Sequence, residues 1–243
     1  MSPADRSESG DRVPDALGDR VPDALGDRVP DALGDWVPDA LGDRAPDALG
    51  DWAPDALGDW APDALGDWAP EVLGPPGEVR KVVTAPDAVL SRGGADVDPL
   101  ADDVVRLAAD LIATMRVSPG CVGLAGPQVG VGGRIFAVDV TGHPKTLTSH
   151  GTFVLCNARV IEASRWRPGR EGCMSVPDLT GDIKRASRLV VEGVLPGTGR
   201  TVRVVTDGFE ARALQHEIDH CAGLLFLDRM AGAHAVYQRK VYQ

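Results

Sequence analysis

Between residues 100 and 115 apolar side chains recur at Leu100, Val104, Leu107, Leu111 and Met115, a spacing that gathers them on one face of a helix. Asp98 and Pro99 stand just ahead, suited to an N-cap and to the first helical position. The pattern therefore predicts an amphipathic helix over 99–116, closed by the loop residues Pro119 and Gly120. Apolar and β-branched runs at 134–140, 153–161, 189–194 and 202–205 then predict strands. Asp207 with Glu210 three residues on resembles a capping box, opening a second helix that runs to about residue 222 and stops at Gly223. One helix, several strands and a second helix make an α+β domain.

The first third of the chain follows a different rule. Residues 10–73 are one octad written eight times, Gly-Asp-[Arg/Trp]-[Val/Ala]-Pro-[Asp/Glu]-[Ala/Val]-Leu. The third position is Arg12, Arg20, Arg28 and Arg44 in four copies and Trp36, Trp52, Trp60 and Trp68 in the others. A proline every eight residues interrupts any continuous helix, and each octad carries too little apolar surface to offset the entropy of ordering it. Residues 1–77 are expected to be a disordered, low-complexity tail, with residues 78–243 as the folded domain. The tail is read first as an expanded repeat without selected structure, and second as a binding arm anchored by its tryptophans.

Charge changes meaning once it is divided this way. The chain of 243 residues carries a formal charge of −11. The eight octads hold sixteen acids against four arginines, whereas residues 74–243 hold 20 basic and 18 acidic residues. The acidity belongs to the tail, which is too acidic to grip nucleic-acid phosphates, so no direct nucleic-acid readout is expected. No apolar run has the length of a membrane span, and no basic, apolar leader is legible at the start. Four widely spaced cysteines suit a reducing compartment better than a disulfide scaffold.

The strongest chemical signal is Gln215-His216-Glu217-Ile218-Asp219-His220. His216 and His220, four apart on a predicted helix, turn both imidazoles to one side, where Phe209 and Ala213 also lie. Two neutral imidazoles suit a first-row divalent metal, and Glu217 stands beside them to carry a proton for a metal-activated water. A chance arrangement on a solvated helix is the competing reading. The third ligand is not downstream: Phe226 occupies the position a third histidine would need, and no Glu follows Glu217. Upstream, Glu171-Gly172-Cys173-Met174-Ser175-Val176-Pro177 presents a thiol among turn-forming residues, where it can approach a metal closely. Cys121, Cys156 and Cys221 read as inert thiols.

Three stretches in order resemble the peptide deformylase family: Cys121-Val122-Gly123-Leu124-Ala125-Gly126-Pro127-Gln128, then residues 171–177, then residues 215–229. The likeness spans roughly residues 79–232. It departs from the family at Cys121, Gly126, Met174 and Cys221, none of which is a ligand or proton-transfer position. The resemblance implies a single domain with antiparallel strands around a central metal-binding helix. It implies a divalent metal on Cys173, His216 and His220, Fe(II) in much of the family with Ni or Zn as replacements. The implied reaction is hydrolysis of the N-formyl group from the formylmethionine that begins a new polypeptide, releasing formate.

By the same resemblance, Glu217 transfers the proton, while the Gln128 side chain and the backbone N–H of Met174 hold the developing oxyanion. Glu171 pairs with Arg185 to brace the cysteine loop. Val122, Gly123, Phe209 and Ala213 form the methionine pocket, with the peptide extended alongside Val122 and Gly123. Arg212 reads equally as a rim charge or as a solvated helix residue. The implied partners are nascent formylmethionyl peptides and, transiently, the ribosome, in a bacterial cytoplasm. A metallopeptidase that reuses the same helix, and a non-catalytic protein working through its tail, are the alternatives.

Overall fold

A computed structural model of the chain describes Leu65 and residues 68–239. Eight elements position the site: α1 (Asp102–Val117), β1 (Gly123–Ala125), β2 (Ile135–Val138), β3 (Phe153–Cys173), β4 (Val176–Val194), β5 (Thr201–Asp207), α2 (Gly208–Cys221) and β6 (Val236–Gln238). The strands form one antiparallel sheet in the order β1-β2-β3-β4-β5, and β6 pairs with β4. Both helices pack into the core that this sheet closes. The α+β architecture of antiparallel strands around a central helix is thus the one expected.

Helix α1 buries Val104, Leu107, Leu111 and Met115, as the spacing requires. It starts three residues later than predicted. The Asp98 side chain accepts from the Leu100 N–H, and the Ala101 N–H closes a turn on the Asp98 carbonyl. That local competition holds Pro99 and Leu100 outside the helix, and Leu100 is exposed. The capping box expected at the start of α2 is also absent. Asp207 accepts instead from Thr148 Oγ1, and Glu210 turns inward to the His150 N–H, His150 Nδ1 and Thr206 Oγ1. Helix α2 ends at Cys221 and Gly223 takes the left-handed conformation, φ 77°, that a stop requires.

The largest departure is the long ribbon of β3 and β4. The runs at 153–161 and 189–194 proved to be only its outer ends. Residues 162–188 lack regular alternation and include Pro168 and Gly169, yet they pair in sequence from Glu162↔Val190 to Cys173↔Val176. Backbone pairing with a neighbour keeps this stretch extended, and near the turn it brings Glu171, Cys173, Ile183 and Arg185 to buried positions. The tight end of the ribbon carries Glu171 and Cys173.

The tail also departs from expectation where it is described. Leu65, Trp68 and Leu73 are buried in the same core as α1. The expectation of a loose tail through residue 77 therefore does not describe these positions, because three repeat side chains find apolar partners. The remaining octads lie outside the described residues. After the repeat, Asp110 on α1 receives the Glu78 N–H at 2.7 Å and Arg80 Nε and Nη2 at 2.7 and 2.5 Å. Asp110 is itself 1% exposed. Replacing Asp110 with Ala leaves the Glu78 donor unpaired and releases Arg80. Chemical denaturation should show a loss of about 2–3 kcal/mol; a loss below 1 kcal/mol would contradict this role.

Candidate metal centre

The histidines come from α2 and the cysteine from the end of β3. Four-residue spacing sets the His216 and His220 rings 4.8 Å apart at 82°. The turn between β3 and β4 brings Cys173 against them, with Sγ 3.2 Å from His220 Nε2. One ligand atom from each of Cys173, His216 and His220 falls within 4.8 Å of the others. Two N–H donors also face the sulfur at 3.3 Å, from Gln128 Nε2 and the backbone of Ser175. A sulfur so surrounded is arranged as a ligand. The other three cysteines are free, and burial pushes each of their thiols up to about 12, as inert thiols require.

Glu171 sets the orientation of this cluster. Its Oε2 lies 3.0 Å from His216 Nδ1, which leaves His216 Nε2 toward the cysteine. The same carboxylate takes Arg185 Nε and Nη2 at 2.9 and 3.0 Å and Arg212 Nη1 at 2.7 Å. Burial opposes its charge, but the hydrogen bonds from His216 and Arg185 prevail and hold its carboxyl well below the usual range. Arg185 continues to Asp219 Oδ2 at 2.5 Å, and Asp219 takes Arg229 on both oxygens. Arg212 is neither a rim charge nor solvated: besides Glu171 it donates to the carbonyls of Arg167 and Ile183.

The sequence reading missed Asp219, Arg229 and Ser175. Only an acid inside an otherwise buried helical face hinted at Asp219. Ser175 lies two residues from Cys173, fully buried, and its hydroxyl is 3.3 Å from Gln128 Nε2.

Around the cluster lie the remaining predicted site residues. Gln128 is fixed by its Oε1 accepting from the Ala125 N–H at 2.9 Å, so its Nε2 is presented toward Cys173. Gly123 lies directly against Glu217, and any Cβ there would overlap the carboxylate. Gly126 tolerates no easy Cβ either, since one would sit 3.0 Å from the Val131 carbonyl. Val122, Phe209 and Met174 are half-buried against the core and Ala213 is buried. Phe209 is covered by His143 of the β2–β3 loop, whose ring stacks on it at 3.9 Å and 8° across 66 residues of chain. Strand β1 pairs with β2 on one side and is the sheet's terminal strand.

Three buried side-chain atoms among the described residues have no hydrogen-bond partner, and two are here: Glu217 Oε2 and His220 Nδ1. Burial raises the Glu217 carboxyl to about 7 against the pull of His216 and Arg185, while burial and His216 hold His220 well below its ordinary value. A neutral imidazole, a sulfur and a second oriented imidazole form the donor set of a divalent ion, so the residues fit a metal.

Two measurements test these roles. Glu171→Gln keeps the shape but removes the charge that orients His216, and equilibrium dialysis should show metal affinity falling about 10–100-fold. Unchanged affinity would remove Glu171 from this role. In metal-free protein the raised Glu217 value favours the protonated fold. That stability is complete below about 4.5 and lost as pH rises through 7. Metal-free Glu217→Gln should therefore unfold with the parent near pH 4 but exceed it at pH 8 by up to about 3 kcal/mol.

Comparison with known proteins agrees with this geometry. Residues 79–235 match the family model for polypeptide deformylase. The peptide deformylase of Halothermothrix orenii is 40% identical over 153 residues, 63% of this chain and 92% of the relative. That of Desulforudis audaxviator is 38% identical over 163 residues, 67% of this chain and 98% of the relative. Among solved structures, the Thermotoga maritima peptide deformylase superposes with a TM-score of 0.57 at 29% identity, over 64% of this chain and 99% of that one. A Met-Ala-Ser-bound class I type b peptide deformylase from Acinetobacter baumannii gives 0.57 at 33% identity, over 63% and 98%. With the family model covering the whole region that builds the Cys-His-His cluster, the chain belongs to the peptide deformylase family, metal-dependent hydrolases that remove the formyl group from N-terminal formylmethionine.

Proposed function

We propose that Cys173, His216 and His220 hold the metal of this deformylase and that Glu217 carries its proton transfer. One observation bears most of the weight: a sulfur and two imidazoles converge on one point, beside a buried carboxylate that has an unpartnered oxygen and a value near neutrality. A bound divalent ion would polarise water and the formyl oxygen there. Fe(II) is the proposed native ion, with Zn and Ni fitting the same sulfur and nitrogen donors.

The rest is the work of the chain. Glu217 takes the proton of the attacking water at its free oxygen and delivers it to the departing amide nitrogen, a task suited to a value near 7. Gln128 Nε2, held in place through Ala125, and the Met174 backbone N–H donate to the formyl oxygen as negative charge grows on it. Exchanging a side chain at 174 leaves that backbone donor intact. The peptide extends along the outer edge of β1, with its methionine among Val122, Gly123, Phe209 and Ala213. The Acinetobacter baumannii structure has Met-Ala-Ser bound. Gly123 is required at this point because a side chain would displace Glu217. Glu171, Arg185 and Arg212 keep His216 in position.

The substrate places the protein beside newly made chains, so a transient meeting with the ribosome and a cytoplasmic site are part of the proposal. No described helix is long and apolar enough to cross a membrane.

The direct test is formate release from formyl-Met-Ala by anaerobically prepared full-length protein. Glu217→Gln should lower the rate about 10²–10⁴-fold while metal content persists. Cleavage of the Met-Ala bond instead of formate release would favour a peptidase, and an undiminished rate in the variant would reject Glu217 as the proton carrier.

A further inference from the structure

The last repeat has a fitted seat on the domain. Trp68 is 7% exposed and its indole Nε1 donates to the Pro196 carbonyl at 3.1 Å. Pro196 belongs to the turn between β4 and β5. From the same turn Arg200 donates to the Leu65 carbonyl, which also takes the Trp68 N–H at 3.1 Å. Residues 70–73 then make one helical turn, and Val72 and Leu73 lie against Gly197. Leu65 and Leu73 join the core beside α1. The seat thus recognises Leu-x-x-Trp-x-Pro-x-x-Leu through two leucines, one indole and two backbone carbonyls.

Each of those features recurs upstream. Residues 57–65 read Leu-Gly-Asp-Trp-Ala-Pro-Asp-Ala-Leu, as do residues 49–57, and residues 33–41 differ only by Val37. Against the resident segment, residues 57–65 change Glu71 to Asp and Val72 to Ala, at two positions that the seat leaves exposed. The Arg octads lack the indole. A guanidinium in its place would be carried into an almost closed site, one turn from Arg200, where an unpaired charge is costly.

We infer that the cleft between α1 and the β4–β5 turn is a binding site for the tryptophan octad, filled by Leu65 and residues 68–73 and open in exchange to the matching positions one octad upstream in the same chain. The chain is anchored just after the seat, where Gly77 lies against the backbone of Ala109 and Asp110 and Glu78 is bonded to Asp110. Moving the seated segment up by one octad lengthens the intervening loop from about four residues to about twelve. Loop closure then disfavours the second register only about fivefold. The Trp octads are thereby interchangeable ligands of one seat and the Arg octads are spacers. The repeat acts as a strap that holds the N-terminal segment on the domain face carrying α1.

The test uses the full chain and the repeat's own variation. Four proteins are compared: the parent, Trp68→Arg, the triple variant Trp36→Arg/Trp52→Arg/Trp60→Arg, and the quadruple variant that adds Trp68→Arg. The quadruple variant should lose about 4–8 °C in Tm, with formate release confirming that it folds. Trp68→Arg alone should lose less than half of that, the triple variant nothing, and all values should be independent of protein concentration. Equal losses in the single and quadruple variants would mean a fixed core residue and overturn exchange. No loss in either would overturn the seat. Compensation that appears only at high protein concentration would make the occupant a second copy and overturn the in-chain strap. Should the quadruple variant fail to fold, 5-fluorotryptophan spectra of Trp68→Arg decide. One of the three remaining repeat tryptophans must take up the shifted, buried resonance of Trp68, and its absence overturns the inference.

Discussion

Glu171 is a buried carboxylate that meets two guanidiniums and an imidazole drawn from two other elements. Arg185 reaches it from β4, while Arg212 and His216 reach it from α2. A buried charge survives only when paired and fully hydrogen-bonded, and removing one partner typically leaves a cost of several kcal/mol. The position of α2 against the β3–β4 ribbon is therefore tied to the orientation of the His216 ring, a proposed metal ligand. Asp219, near the end of α2, extends the same logic to Arg229 in the turn beyond it. Fold stability and site geometry share one network.

That network divides electrostatic labour between a carboxylate on β3 and one on α2. Glu171, with its cations, stays charged, whereas Glu217 is equally enclosed but has an oxygen with no donor and rises toward neutrality. The difference is hydrogen bonding, not burial. One carboxylate is fixed as an orienting anion and the other keeps an unpartnered oxygen. Gly123 gives that second carboxylate its space, since a Cβ there would press on Glu217, and Gly126 lets its own turn pack close to the carbonyls of Val131 and Gly133.

The legible part of the chain was its local chemistry. The spacing of His216 and His220, the thiol in the 171–177 stretch and the apolar period of α1 each depend on residues near one another, and each appears in the structure where its pattern put it. The ribbon of β3 and β4 was not legible, because its inward positions near the turn are held by Glu171, Gly181 and Arg185 rather than by an apolar alternation, and the strands are extended by pairing with each other. Arg212 was misread for a related reason: its partners lie 29 to 45 residues away. The capping box at Asp207 failed because Thr148 and His150 offered its acids better partners from a distant loop.

The tail shows the same division. By sequence alone, its composition fixed where the negative charge lies and kept the catalytic region near neutral. The tryptophan octads carry nearly the same local propensities, and the Glu71 and Val72 changes in the last do not by themselves mark it for burial. Only the tertiary structure decided that Trp68 and Leu73 join the core, because the complementary surface, α1 and the carbonyl of Pro196, is built by residues far along the chain. The sequence determined which groups could bind a metal or seat in a cleft. The folded chain determined which of them meet, since burial, pairing and a shifted carboxyl exist only once distant segments have come together.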